Sequence, residues 1–149
     1  MTEPLFHYNA RDVLVTFGEV LFEGFADDSH VSIEPAEDDT ALYVGVDGAA
    51  TRSMNNNNAA TFTVVLSQSS PTNGLLSALS KLDRKTGQGV RPFMVKDKNG
   101  TALFLGAKTW IKRRPSREYG KTTKTRTWVF ETHDLTDFDG GANPPPLPA

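Results

Sequence analysis

A chain of 149 residues, 38% hydrophobic and 23% charged, has the length and apolar content for one domain with its own core. It has no cysteine, which excludes disulfides, thiolate zinc sites and thiol nucleophiles and fits a reducing compartment. No apolar run approaches the ~18 residues of a membrane span, and the start MTEPLFHYNARD lacks the basic and apolar regions of a secretory signal.

In chain order, strand signals dominate. Val13, Val15 and Phe17 alternate with Leu14 and Thr16, Gly18-Glu19 turns the chain, and Val20-Leu21-Phe22 returns. A short strand is predicted over His30 to Ile33, stopped near Pro35. Ala41 to Asp47 forms another, with Leu42, Val44 and Val46 on one face and Asp47-Gly48 as a turn. A long polar loop then runs from about Gly48 to Ala59 and holds four consecutive asparagines, Asn55 to Asn58. It reads as a mobile loop tip, or as a loop that orders only against a neighbouring copy. Ala60 to Gln68 is a clean strand with Phe62, Val64 and Leu66 on one face.

One helix is predicted over about residues 71–86. Ser70-Pro71-Thr72-Asn73 supplies cap-type residues, Leu75, Leu76, Leu79 and Leu82 recur at helical spacing as its core face, and Gly87 terminates it. Strands resume at Phe93 to Asp97 and Thr101 to Lys112, flanking Lys98-Asn99-Gly100, a strong hairpin signal. After the loop 113–120, a last strand runs from about Lys121 to Thr132. The predicted fold class is mainly β: an antiparallel β-sandwich or barrel with one flanking α-helix. The expected organisation is one domain over residues 1–141 and a mobile, proline-rich tail over 142–149.

The net charge of −2 is unevenly placed. Residues 27–39 hold Asp27, Asp28, Glu34, Glu37, Asp38 and Asp39 with no Lys or Arg. Residues 108–126 hold Lys108, Lys112, Arg113, Arg114, Arg117, Lys121, Lys124 and Arg126 against Glu118 alone. This division suits opposite-charge contacts between copies of the chain, and it equally suits two solvated loops. Lys112-Arg113-Arg114, with Trp110 and Tyr119 nearby, also offers charge and stacking surface for nucleic acid, although the chain as a whole is slightly acidic.

Catalytic signals are weak. His7, His30 and His133 show no metal-ligand spacing, and no Walker A, G-x-S-x-G or G-x-G-x-x-G sequence occurs. The acidic run Glu34 to Asp39 lacks the ligand spacing and central glycine of an EF-hand loop. No enzymatic activity, cofactor or metal site is expected.

Several ordered segments carry a resemblance: VLVTFGEVLFEGFADD (13–28), TALYVGVDGAATRS (40–53), TFTVVLSQSSPTNGLLSAL (61–79), PFMVKDKNGTAL (92–103) and AKTWI (107–111). With these segments the chain resembles the tail tube proteins of contractile-tailed bacteriophages, which share a fold with Hcp-type tubes, and the resemblance covers about residues 11–141. The asparagine run and the proline tail depart from the pattern. The resemblance implies a structural subunit that forms six-membered rings, joins strands into a shared inner β-barrel, and stacks into a hollow tube. It implies as partners the chain itself, the tail sheath protein, the tape-measure protein, and baseplate and tail-terminator proteins, with transient non-specific passage of DNA. It implies a place in the virion after assembly in the host cytoplasm. On this reading Arg52, Met54, Asn55, Asn56, Asn57 and Asn58 form an inter-ring loop. Glu37, Asp38 and Asp39 would meet Lys112, Arg113 and Arg114 across an interface. A tail-terminator or baseplate ring of the same fold, and a nucleic-acid-binding β-barrel, remain the alternatives.

Overall fold

The computed structural model describes residues 5–26 and 31–141; Asp27, Asp28, His30 and the tail 142–149 lie outside the described residues. A 3-10 turn at Ala10–Asp12 leads into β1 (Val13–Phe17) and β2 (Val20–Leu21), joined by Gly18-Glu19. There follow β3 (Val31–Pro35), β4 (Thr40–Val44), β5 (Ala50–Met54), β6 (Ala60–Ser67), α1 (Thr72–Thr86), β7 (Arg91–Asp97), β8 (Leu103–Arg113), β9 (Thr125–Thr132) and β10 (Leu135–Phe138). The protein is mainly β, antiparallel throughout its named strand pairs, with a single α-helix among the described residues.

One eight-stranded sheet carries the body, in the order β2-β1-β7-β8-β9-β6-β3, and β10 continues along β8. The long strand β8 pairs through Leu103–Gly106 with β10 and through Thr109–Arg113 with β9, so these two short strands form one interrupted ladder. At the interruption a side chain on Gly106 would meet the Thr109 hydroxyl at 2.5 Å, so only glycine fits. Thr109 donates to the Gly106 carbonyl at 3.0 Å and Thr132 to the Lys108 carbonyl at 3.1 Å. These buried hydroxyls satisfy carbonyls that the ladder leaves open.

The sheet folds over on itself. β1 and β9 are three strand positions apart, which in a flat sheet would separate them by ~14 Å. The rings of Phe17 and Phe130 nevertheless lie 5.0 Å apart, and Phe62 of β6 stacks on Phe93 of β7 at 4.3 Å. Such aromatic pairs each add about 0.5–1.5 kcal/mol beyond area burial. The inward faces that make this core are those the alternation predicts: Ala60, Phe62, Val64 and Leu66 on β6, and Trp128 and Phe130 on β9. Beyond β2 the chain crosses to the far side of β6. There Ala26 N–H donates to the Val65 carbonyl and Ser67 N–H to the Gly24 carbonyl.

α1 lies against this body with Leu76 fully buried, Leu79 half-buried and Thr72 and Ser80 buried. The expectation of a four-leucine core is corrected: Leu75 is 54% exposed and Leu82 is also exposed. At 100° per residue the inward line runs through Thr72, Leu76, Ser80 and Asp83, and Leu75 and Leu82 fall about a quarter to a third of a turn away from it. The cap-type residues also act otherwise than expected. Pro71 occupies the cap position and no side chain caps the helix. Ser70 accepts from Thr72 N–H and donates to the Glu23 carbonyl. Asn73 donates to the Ser67 carbonyl at 2.9 Å and accepts from the Trp128 indole at 2.9 Å. These residues pin the helix to the sheet. Gly87, in left-handed conformation, ends it with its N–H on the Asp83 carbonyl.

The β7–β8 hairpin forms around Asn99-Gly100, with a turn built on Asp97. Asp97 accepts the Asn99 N–H at 2.9 Å, and Asn99 ties Asn9 to the body through two further bonds of 2.9 Å.

Candidate assembly surfaces

β4 and β5 form a second, two-stranded sheet, and neither strand pairs with the eight-stranded one. Thr40 faces Met54, Leu42 faces Arg52 and Val44 faces Ala50, so these six share one side of the ribbon. All ten strand residues are exposed. Leu42 is 72% exposed, Tyr43, Val44 and Met54 are exposed too, and Val46 at the tip is fully open. Five residues per strand and a tip at Gly45–Ala49 give an arm about 20 Å long. A lone two-stranded hairpin is marginal in water, and the exposed Leu42, Val44 and Met54 on one side of it, beside Arg52, mark a candidate interaction surface.

The arm corrects the long-loop expectation. Ala50–Met54 is a strand, so the connection from Gly48 to Ala59 is mostly regular structure. Its sequence, ATRSM, has no run of β-branched residues to signal a strand; the signal that exists is the Asp47-Gly48 turn facing ALYV. The asparagine run is also ordered within the chain. Asn55 donates from its side chain to Glu37 Oε2 at 2.7 Å and to the Asp38 carbonyl at 2.9 Å, and its backbone N–H donates to the Asp39 carbonyl. Asn55 Oδ1 accepts from Asn57 N–H, and Asn57 Oδ1 from Ala59 N–H. Leu135 N–H donates to the Asn58 carbonyl at 2.9 Å. Asn56 is exposed. The run therefore fastens the root of the arm to the body, whereas Arg52 and Met54 belong to the arm's face. Hydrogen bonds from Asn55 and Asn57 hold the Glu37 carboxyl below the ordinary carboxylate range.

Glu34, Glu37, Asp38 and Asp39 line an open acidic groove of about 710 Å³ beside this root. The basic segment is divided. Lys112 pairs with Glu131 of its own chain at 3.2 Å, an exposed contact worth about 0.2–1 kcal/mol. Arg113 and Arg114 line a groove of about 510 Å³ with Glu118, Lys124 and the hydroxyls of Thr125 and Thr127. Arg126 is buried under the ring of Tyr119, 5.1 Å from its centroid. Lys112 and Arg126 are thus withdrawn from the exposed basic segment, and Arg113, Arg114 and Lys124 stay together in one groove. The burial of Arg126 could not be read from a run of charges; its inward place follows from alternation with Trp128 and Phe130.

The outer face of β6 and β9 is of another kind. Thr61, Thr63, Val65 and Ser67 lie opposite Glu131, Val129, Thr127 and Thr125, a wall rich in hydroxyls with one acid. Among the described residues no three His, Cys, Asp or Glu side chains converge as a metal site, and no helix is long and apolar enough to cross a membrane.

A sequence profile of the family described as "Bacteriophage PhiTE tail tube protein" matches residues 13–140, which takes in the body and the arm together. The chain belongs to this family. The chain is also 34% identical over 128 residues to the "Structural protein ORF10" of Pseudomonas phage KPP10, covering 85% of this chain and 73% of that protein. The tail tube chain also shares its fold with two solved structures of low sequence identity. The anti-feeding prophage cap, an AFP tube-terminating cap, matches with a TM-score of 0.65 at 12% identity over 93% of this chain and 95% of that one. The PVC sheath/tube terminator of an extracellular contractile injection system matches with a TM-score of 0.56 at 10% identity over 91% and 99%. The protein is a tail-tube-type structural protein.

Proposed function

We propose that this chain is the repeating subunit of a phage tail tube, assembling into rings that stack into a hollow conduit. The observation that carries the reading is the arm: a hairpin with an apolar face, rooted firmly by Asn55 and Asn57, that its own body leaves uncovered. A second copy supplies the missing cover. Six subunits per ring is the form the resemblance implies. The exposed edge of β3 is available for strand pairing between neighbours, and such closure removes an edge that would otherwise promote uncontrolled association.

The hydroxyl-rich outer face of β6 and β9 fits the wall of the conduit. Each phosphate contact would add affinity for DNA: the face itself offers threonines and Glu131, with Lys112 paired to that acid, while Arg113, Arg114 and Lys124 border it at Thr125, Thr127 and Val129 and would be its contacts to phosphate. A sheath around the tube, a tape-measure protein within it, and baseplate and terminator proteins at its ends complete the assembly, in the virion. Electron microscopy of the purified protein tests this: extended tubes or stacked rings are expected. Single rings that never extend would make it a terminator, and a strict monomer at high concentration would contradict both.

A further inference from the structure

Arg126 is 6% exposed, yet no carboxylate of the described residues lies within ion-pair distance of it. Its guanidinium donates to the neighbouring Thr125 carbonyl at 3.0 Å and lies under Tyr119. Five N–H donors are available on a guanidinium, and burying its charge without an anion is costly. Arg126 lines a cavity of about 260 Å³ with Arg117, Gln68, Asn73 and Tyr119, and no acid lines that cavity. α1 begins beside it, so the positive end of the helix dipole adds to the same field.

The matching anions stand at the other end of the same strands. The cavity lies where Ser67 pairs with Thr125; the acidic groove lies where Pro35 and Ala60 meet Thr132. Eight residues of β6 and β9 put these ends roughly 24 Å apart along the strand direction. Asp38 and Asp39 present carboxylates with no hydrogen bond to any described residue, whereas Glu37 is already held by Asn55.

We propose that the Arg126–Arg117 cavity receives the Asp38 and Asp39 carboxylates of a second copy of this chain, as the polar contact between successive copies. This rests on the stacked-assembly reading above. The contact is heterologous, acidic end to basic end, so copies joined by it all point the same way. Desolvation at Arg126 gives the pair its strength, and the exposed Arg117 gives it sensitivity to salt.

The test is charge reversal in the full-length protein, with assembly followed by sedimentation velocity and folding checked by thermal unfolding. Arg117→Asp, and separately Asp38→Arg with Asp39→Arg, should each raise the concentration needed for stacking by ~10-fold or more. Combining Arg117→Asp with Asp39→Arg alone, which keeps Asp38 facing Arg126, should recover most of that loss. Arg117, Asp38 and Asp39 are exposed, so these variants probe the contact without removing the buried Arg126. Stacking at the wild-type concentration in each set, or no recovery in the combination, would overturn the contact while leaving the tube reading intact. Weakened retention of duplex DNA by Arg117→Asp with unchanged stacking would make the cavity a phosphate site and also overturn it. Wild-type protein that never stacks would defeat the tube reading and this contact together.

Discussion

The arm and the body are built from the same kind of sequence and end in opposite states. TFTVVLS in β6 and TALYV in β4 both place apolar residues at every second position, Phe62, Val64 and Leu66 in one and Leu42 and Val44 in the other. In β6 every second residue is buried against the folded-over sheet; in β4 all five are exposed. The difference lies in what faces each strand. β6 looks into the aromatic cluster of Phe17, Phe93 and Phe130, while among the described residues β4 pairs with β5 alone and its side chains stay exposed. A pattern of alternation therefore specifies a surface to be covered, and says nothing of which chain covers it.

Mutations should separate the two regions, and the largest effect belongs to the body. Phe130→Ala should cost ~3–5 kcal/mol in a denaturant titration, since the ring touches three other aromatics. Leu42→Ala with Val44→Ala should leave the monomer within about 0.5 kcal/mol of wild type and still abolish assembly. A comparable loss of monomer stability would mean the arm packs on its own body.

The helix gives the next contrast. Leu76→Ala should cost ~2–5 kcal/mol, and Leu75→Ala less than about 1 kcal/mol because its side chain is already exposed. Similar costs at both positions would sink the assignment of faces.

The root of the arm is weaker. Asn55→Ala removes the side-chain hydrogen bonds to Glu37, to the Asp38 carbonyl and from Asn57 N–H. It should speed amide exchange over Thr40–Met54 more than in the body. The Glu37 carboxyl is held low by Asn55 and Asn57, so its contribution is present above its unfolded value and is lost as pH falls through the folded one. Acidification should therefore loosen the arm of the wild type, and the Asn55→Ala protein should lack most of that pH dependence.

The smallest effect on stability is expected from Thr127→Lys on the outer face of β9, within about 0.5 kcal/mol. Its consequence would appear as salt-dependent retention of DNA by assembled protein. Unchanged DNA retention would remove that face from the conduit wall.

Much of the body was legible. The alternation of β6, the inward Trp128 and Phe130, the hairpin around Asn99 and the Gly87 stop all follow from local rules, and the fold agrees because a single chain satisfies them. What local rules missed depends on partners distant in sequence. ATRSM becomes a strand only because ALYV lies beside it. Asn55 to Asn58 look like a soluble loop until Glu37, Asp38 and Leu135 supply their partners. Leu75 and Leu82 scan as core because leucine spacing alone cannot tell which of two helical stripes faces the sheet. Arg126 scans as one more surface cation in a run of charges, although its alternation with Trp128 and Phe130 already turns it inward.

In a tube subunit the arm must be covered by another copy of the chain. Amide hydrogen exchange over Thr40–Met54, compared between dilute monomer and assembled protein, tests it most directly. Exchange should be fast in the monomer and strongly slowed on assembly, alongside a body protected equally in both. An arm that exchanges as fast in the assembly as in the monomer would contradict it.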